Sequence, residues 1–162
     1  MKKLKKQFEI RWADLDPNYH VLHSRYYDFG AFCRMSVFIE HGLTPELMTQ
    51  YNIGPILFRE QCFFKKEILF GDKMDITFML VKHTDNFSRW SISHEIFKNN
   101  ILAAQIEVDG AWIDTVKRKL ASRGTLGLFS HISEACFSLL LRPSSYPRQT
   151  ATFLNSLLNS IR

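Results

Sequence analysis

No stretch of this 162-residue chain reaches the roughly 18 consecutive apolar residues that suggest a membrane span. The start, Met1-Lys2-Lys3-Leu4-Lys5-Lys6, runs into the mixed Gln7-Phe8-Glu9-Ile10 and not into the apolar core of a signal peptide. Those two absences predict a cytoplasmic protein. Cysteine is scarce. Cys33, Cys62 and Cys136 are odd in number, far apart and without Cys-x-x-Cys spacing, which argues against a disulfide framework or a zinc ribbon and for buried free thiols. There is no internal repeat and no low-complexity segment.

What is present fits one globular core: 46% of residues are hydrophobic and 14% aromatic. The net charge of +5 suits nucleic acid, an anionic membrane or a phosphorylated small molecule. Nucleic acid is disfavoured, because the lysines are scattered and form no stripe interleaved with aromatics.

Residues 7–12 read as a short extended run, and 13–25 as a polar loop holding Asp14, Asp16, Pro17, Asn18, His20 and His23. From Tyr26 to about His41 the apolar spacing is helical, with Ser24 before it and Gly42 after it as end signals. Thr44-Pro45 opens a second, short helix. From Ile56 to Asp114 the apolar residues alternate, as in Met74, Ile76, Phe78, Leu80 and in Trp90, Ile92, His94, Ile96. Breaks at 70–73, 84–86 and 98–100 predict four strands of roughly ten residues in an antiparallel meander. A long helix must then cover one face of the sheet, which makes an α+β domain.

Beyond Leu120 there is no lysine and no aspartate, and Glu134 is the last acid. Residues 131–141 and 151–161 have helical apolar spacing, separated by Pro143 and Pro147. We therefore expect a domain over 1–120 and a helical C-terminal extension over 121–162.

The run Arg11-Trp12-Ala13-Asp14-Leu15-Asp16-Pro17-Asn18-Tyr19-His20-Val21-Leu22-His23-Ser24-Arg25-Tyr26 resembles the signature of the 4-hydroxybenzoyl-CoA thioesterase family, Asp-x-Asp-x-x-Gly-x-Val followed by a Tyr at the start of a long helix. Asp14, Asp16, Val21, His23, Tyr26 and Arg34 fall on matching positions, and the strand pattern after Gly54 agrees. The family glycine is Tyr19 here, and the glutamate common on the central helix falls on Ala31. The resemblance implies a hotdog fold, a long central helix wrapped by an antiparallel sheet. It also implies hydrolysis of an acyl-CoA or acyl-carrier-protein thioester, without a cofactor. It further implies a homo-oligomer, dimer or tetramer, formed by edge-to-edge pairing of sheets. The site would then lie between subunits, with Asp16 facing the strand 53–58 of the other copy.

The residues themselves suit that chemistry. Thioester hydrolysis needs a carboxylate that attacks the carbonyl or activates water, and donors for the oxyanion. Asp16 lies just before a helix start, where unpaired amides favour an anion. The resemblance places the oxyanion donor at the backbone N–H of His23. Against this stands the ordinary role of Asp14 and Asp16 as turn caps, which fits Asp14 better. His20, His23 and two aspartates contain enough ligands for zinc or iron, yet their spacing fits no metal motif, and no metal is expected. Tyr26 and Arg34 are suited to packing and buried hydrogen bonds, with Arg34 placed to orient the loop carboxylates. Phe58 and other phenylalanines can line an acyl tunnel. Lys65-Lys66 and Lys117-Arg118-Lys119 can meet the CoA phosphates or form a solvated charged face. The alternative function is a non-catalytic acyl-CoA or acyl-carrier-protein binding hotdog module.

Overall fold

The computed structural model describes residues 3–121. Strand β1 (Leu4–Phe8) leads through a 3-10 turn (Trp12–Asp14) to helix α1 (His23–Glu40) and helix α2 (Pro45–Gln50). Strands β2 (Ile53–Phe64), β3 (Met74–His83), β4 (Arg89–Lys98), β5 (Ile101–Asp114) and β6 (Lys119–Leu120) follow. The expected α+β architecture is present. The expected helices of the 121–162 extension lie outside the described residues, Ala121 excepted.

Local signals decided most element ends. Gly42 sits at φ 88°, and the N–H groups of Gly42 and Leu43 donate back to the carbonyls of Ile39 and Phe38. This is the left-handed helix end that glycine permits. Thr44 caps α2, its hydroxyl accepting from the Leu47 amide with Pro45 in the first turn. Asn99 and Asn100, both at positive φ, make the tight β4–β5 hairpin.

Three expectations need correction. The first strand is Leu4–Phe8 and not 7–12, because β1 pairs antiparallel with β3 only as far as Phe8, opposite Met74. Helix α1 starts at His23 and not at Tyr26. Leu22 is the residue that leaves the extended conformation, and its carbonyl accepts from Arg25 N–H, so Ser24 already lies inside the first turn. The four long strands are no simple meander, since the sheet order is β1-β3-β4-β5-β2. Only β3, β4 and β5 are consecutive neighbours; the strand that leaves α2 crosses to pair with β5 and forms an edge.

The sheet has one polar and one apolar face. On the polar face Arg59 reaches Asp109 at 2.8 Å, and Asp109 accepts from Ser91 at 2.7 Å. The apolar face closes on α1, whose buried residues Tyr26, Phe29, Gly30, Cys33, Val37 and Phe38 recur every three or four positions. Phe38 packs between Phe78 and Trp112, with ring centroids 6.0 and 5.5 Å away. Two glycines allow close approach: a Cβ on Gly30 would lie 3.2 Å from Ile106, and one on Gly110 would lie 2.3 Å from the Trp90 ring.

A polar cluster is buried in this interface. Arg34 Nη1 donates to Glu60 at 2.8 Å and lies 3.4 Å from His94 Nε2. Arg34 therefore ties α1 to the edge strand β2 and does not reach the loop carboxylates as the sequence suggested. Those carboxylates are served by Arg11 and by backbone amides. His94 is fully buried, with Nδ1 2.8 Å from the Thr77 carbonyl oxygen. Burial, and then the Arg34 charge, push its pKa down to about 3.

Candidate active site

The loop between β1 and α1 divides its two aspartates by what surrounds them. Asp14 is fully buried and accepts from the Arg11 amide (2.9 Å), Arg11 Nε (3.1 Å) and Arg11 Nη2 (2.8 Å). Hydrogen bonding by Arg11 holds its carboxyl below the usual carboxylate range. Its carbonyl also accepts from Leu22 N–H, so Asp14 fastens the loop to the start of α1.

Asp16 is half-buried. Its Oδ1 accepts from the amides of Asn18 (2.8 Å) and His20 (3.0 Å), the side-chain turn that aspartate favours. Its own amide donates to the His20 carbonyl, closing a tight turn with Tyr19 at φ 63°. That turn is closed by the Leu15–Val21 bridge and fixed to the rest of the molecule by the His20–Leu69 bridge and by Val21 N–H donating to Ile68 O. Only Oδ1 of the Asp16 carboxylate is bound to protein among the described residues.

These contacts place Asp16 on a cleft of about 440 Å³ that also takes in His20, His23, Tyr26, Lys65, Lys66 and Glu67. Val21, Phe64 and Ile68 supply its apolar wall. His23 is the first residue of α1, so its amide has no acceptor one turn back in the helix. Tyr26 is 3% exposed and packs edge-on against Phe64 with centroids 4.9 Å apart. Burial pushes its phenol up to about 12, so it stays protonated and can donate. The amides of Lys65 and Lys66 both donate to the Ala103 carbonyl, which leaves two exposed ammonium stems at the end of β2.

The structure thus brings Asp16, His23, Tyr26, Lys65 and Lys66 together within one chain. It does not bring in Phe58, which lies exposed on β2 with the Arg89 guanidinium 5.2 Å from its ring. Arg118 is also elsewhere, in the turn between β5 and β6 at φ 56°. Sequence reasoning missed Glu67, whose carboxylate lies 3.7 Å from His20 Nε2. No local motif marks that pair; it arises from the long-range bridge between His20 and Leu69.

His20 and His23 share the cleft with Asp16, yet no group of three or more metal-ligating side chains occurs among the described residues. Cys33 and Cys62 are free, and burial raises their thiols to about 12 and about 11. Among the described residues no helix is long and apolar enough to cross a membrane.

The family model described as the thioesterase-like superfamily matches residues 10–153. No curated protein matches the chain. Among solved structures, the chain is similar to a DHNA-CoA thioesterase from Staphylococcus aureus at 19% identity, with a TM-score of 0.76 over 86% of this chain and 91% of that one. It is similar to a 1,4-dihydroxy-2-naphthoyl-CoA thioesterase from Synechocystis at 14% identity, with a TM-score of 0.74 over 88% and 100%. A thioesterase from Thermus thermophilus, solved with coenzyme A and zinc, is similar at 19% identity and a TM-score of 0.66 over 86% and 95%. At these identities the likeness shows the hotdog fold.

Proposed function

Because the chain belongs to the thioesterase-like superfamily, we propose that it hydrolyses an acyl-CoA thioester to the free acid and CoA, with Asp16 as the catalytic carboxylate. The observation that carries this reading is the cleft, where a half-buried carboxylate and the open amide end of a long helix meet. The Asp16 turn holds one carboxylate oxygen by two amides and leaves the other for chemistry. Asp16 then acts in one of two ways. It attacks the thioester carbon, expelling the CoA thiolate and leaving an anhydride that water hydrolyses, or it takes the proton of the attacking water. The His23 N–H receives the developing oxyanion in either case, assisted by the positive end of α1. Tyr26 donates toward the acyl group, and Lys65 and Lys66 meet the CoA phosphates.

The second half of the proposal is a homo-oligomer, dimer or tetramer. Strand β2 is a 12-residue edge with Leu57, Phe58, Phe63 and Phe64 exposed, the kind of edge that pairs with another chain. Antiparallel pairing of two β2 edges would set residues 53–58 of one copy against the cleft of the other, which is how Phe58 would enter the site. Arg118 remains a candidate for the phosphates only across such an interface. We assign catalysis to 1–120 and treat 121–162 as an extension.

The test is a panel of acyl-CoA esters with thiol release followed at neutral pH, using the parent and Asp16→Asn. Loss of about 10²–10⁴-fold in turnover, the range of general-base catalysis, is expected for folded Asp16→Asn. Asp14→Asn, in the same loop, should lower stability far more than turnover. Binding of acyl-CoA without turnover in the parent would replace this reading with a non-catalytic acyl-binding module.

A further inference from the structure

Within the Asp16 turn, His20 grips the aspartate from both sides. Its amide donates to Asp16 Oδ1 at 3.0 Å, and its carbonyl accepts from the Asp16 amide at 2.8 Å. A displacement of His20 therefore moves the carboxylate. The turn also carries a backbone cost, since Tyr19 lies at φ 63°, and residues in such conformations persist only where their surroundings over-determine them.

Residues 67–69 supply the ties from outside the loop. Ile68 and Leu69 act through the backbone, the first accepting from Val21 N–H and the second bridging His20. Glu67 acts through its side chain, with Oε2 3.7 Å from His20 Nε2. Its own base is firm: the amides of Lys65 and Lys66 donate to the Ala103 carbonyl, and Ile68 is fully buried. On the far side the Leu69 amide donates to Asp72 at 2.9 Å, and the other Asp72 oxygen accepts from Asn99 Nδ2. Glu67 lines the same cleft as Asp16 and makes no other ion pair among the described residues. Neither Glu67 nor the His20 imidazole has a part in the chemistry proposed above.

We propose that Glu67 is a positioning residue, which holds the His20 imidazole and through the His20 backbone fixes the Asp16 carboxylate. Its effect on turnover rests on the reading of Asp16 as the catalytic carboxylate; its effect on the turn does not. Imidazole is the side chain that ordinarily gains its charge between about pH 8 and 5, so the contact is an ion pair only toward the acid side. The other titratable groups around His20 in the cleft are Asp16 on its own turn, His23 and Tyr26 on α1, and Lys65 and Lys66 beside Glu67. All of them are common to the parent and a Glu67 variant, so the two proteins compared at one pH isolate Glu67. The His20 and Glu67 side chains are 42% and 63% exposed, which limits the tie to that of a screened surface pair, at most about fivefold in any equilibrium it biases.

The test uses the full chain and reads the turn directly. Amide hydrogen exchange at Asn18 and His20, the two N–H groups on Asp16 Oδ1, is followed by NMR in the parent and in Glu67→Gln. At about pH 5.5 the variant should exchange about two- to fivefold faster at both amides, and at about pH 7.5 the difference should shrink, while amides of β4 exchange alike in the two proteins. Turnover of an acyl-CoA ester at the lower pH should fall by a similar factor, in kcat and not in KM. In a His20→Gln background Glu67→Gln should change neither quantity, because its route to Asp16 is gone. Equal exchange in the parent and Glu67→Gln at both pH values overturns the proposal, and so does an undiminished effect in the His20→Gln background. A change confined to KM overturns it as well, by placing Glu67 on the substrate. Failure of the thioesterase reading shows separately, as turnover retained by folded Asp16→Asn, and leaves the exchange result to decide the role of Glu67.

Discussion

Acidification should destabilise this fold through His94, at pH values above those at which the carboxyls with displaced pKa values act. His94 is fully buried between α1 and the sheet; burial and the Arg34 charge depress its pKa from 6.5 to about 3. The unfolded chain therefore takes up a proton as pH falls below 6.5, while the folded protein does not until about pH 3. Stability is complete above pH 6.5 and is lost progressively on the way down. At about 1.4 kcal/mol per unit of pKa difference, the loss has a ceiling of about 5 kcal/mol, a large share of a typical domain's stability. The depressed carboxyls of Asp14, Asp109 and Asp114 start from 3.8 and that of Glu46 from 4.5, so they act lower in pH. Above pH 4.5 the window belongs to His94 among the groups with displaced pKa values. The assay is urea unfolding at a series of pH values, comparing the parent with His94→Gln, which keeps a donor for the Thr77 carbonyl but cannot titrate. The variant should be less stable near neutrality, yet its stability should fall less steeply with acid, by up to about 1.4 kcal/mol per pH unit. Parallel slopes for the two proteins would refute the reasoning.

Two further outcomes follow from packing. Gly110→Ala drives a methyl to 2.3 Å from the Trp90 ring and 2.7 Å from the Ile56 carbonyl, so it should cost about 1–3 kcal/mol in urea unfolding, with tryptophan emission altered as Trp90 shifts. Arg34→Leu strips Glu60 of its partner at 2.8 Å and should cost about 2–4 kcal/mol, whereas the double variant Arg34→Leu/Glu60→Leu should recover much of that, because the penalty comes from the stranded charge.

How much of this was legible in the sequence depended on how far apart the cooperating residues lie. Gly42, Thr44-Pro45 and Asn99-Asn100 act within a few residues of themselves, so the C-terminal end of α1, the start of α2 and the β4–β5 turn could be read directly. The alternation Trp90, Ile92, His94, Ile96 likewise put His94 on the inward face. That His94 meets an arginine there requires α1 and β4 to pack, over a separation of 60 residues. The position of β2 was illegible for the same reason, since nothing local says whether a strand after a helix pairs with β3 or β5; its own ladder with β5 decides. In the candidate site, Asp14 and Asp16 are two residues apart and chemically identical. Their difference lies in Arg11, three residues before Asp14, which takes that carboxylate twice over, while Asp16 is left with amides. The same logic explains Tyr19. A turn that returns two amides to Asp16 Oδ1 holds its fourth residue at φ 63°, where a glycine is the undemanding choice, as in the family signature. The loop keeps that geometry with a tyrosine in place, its ring packed against Trp12, so the carboxylate is held by the turn and its two amides.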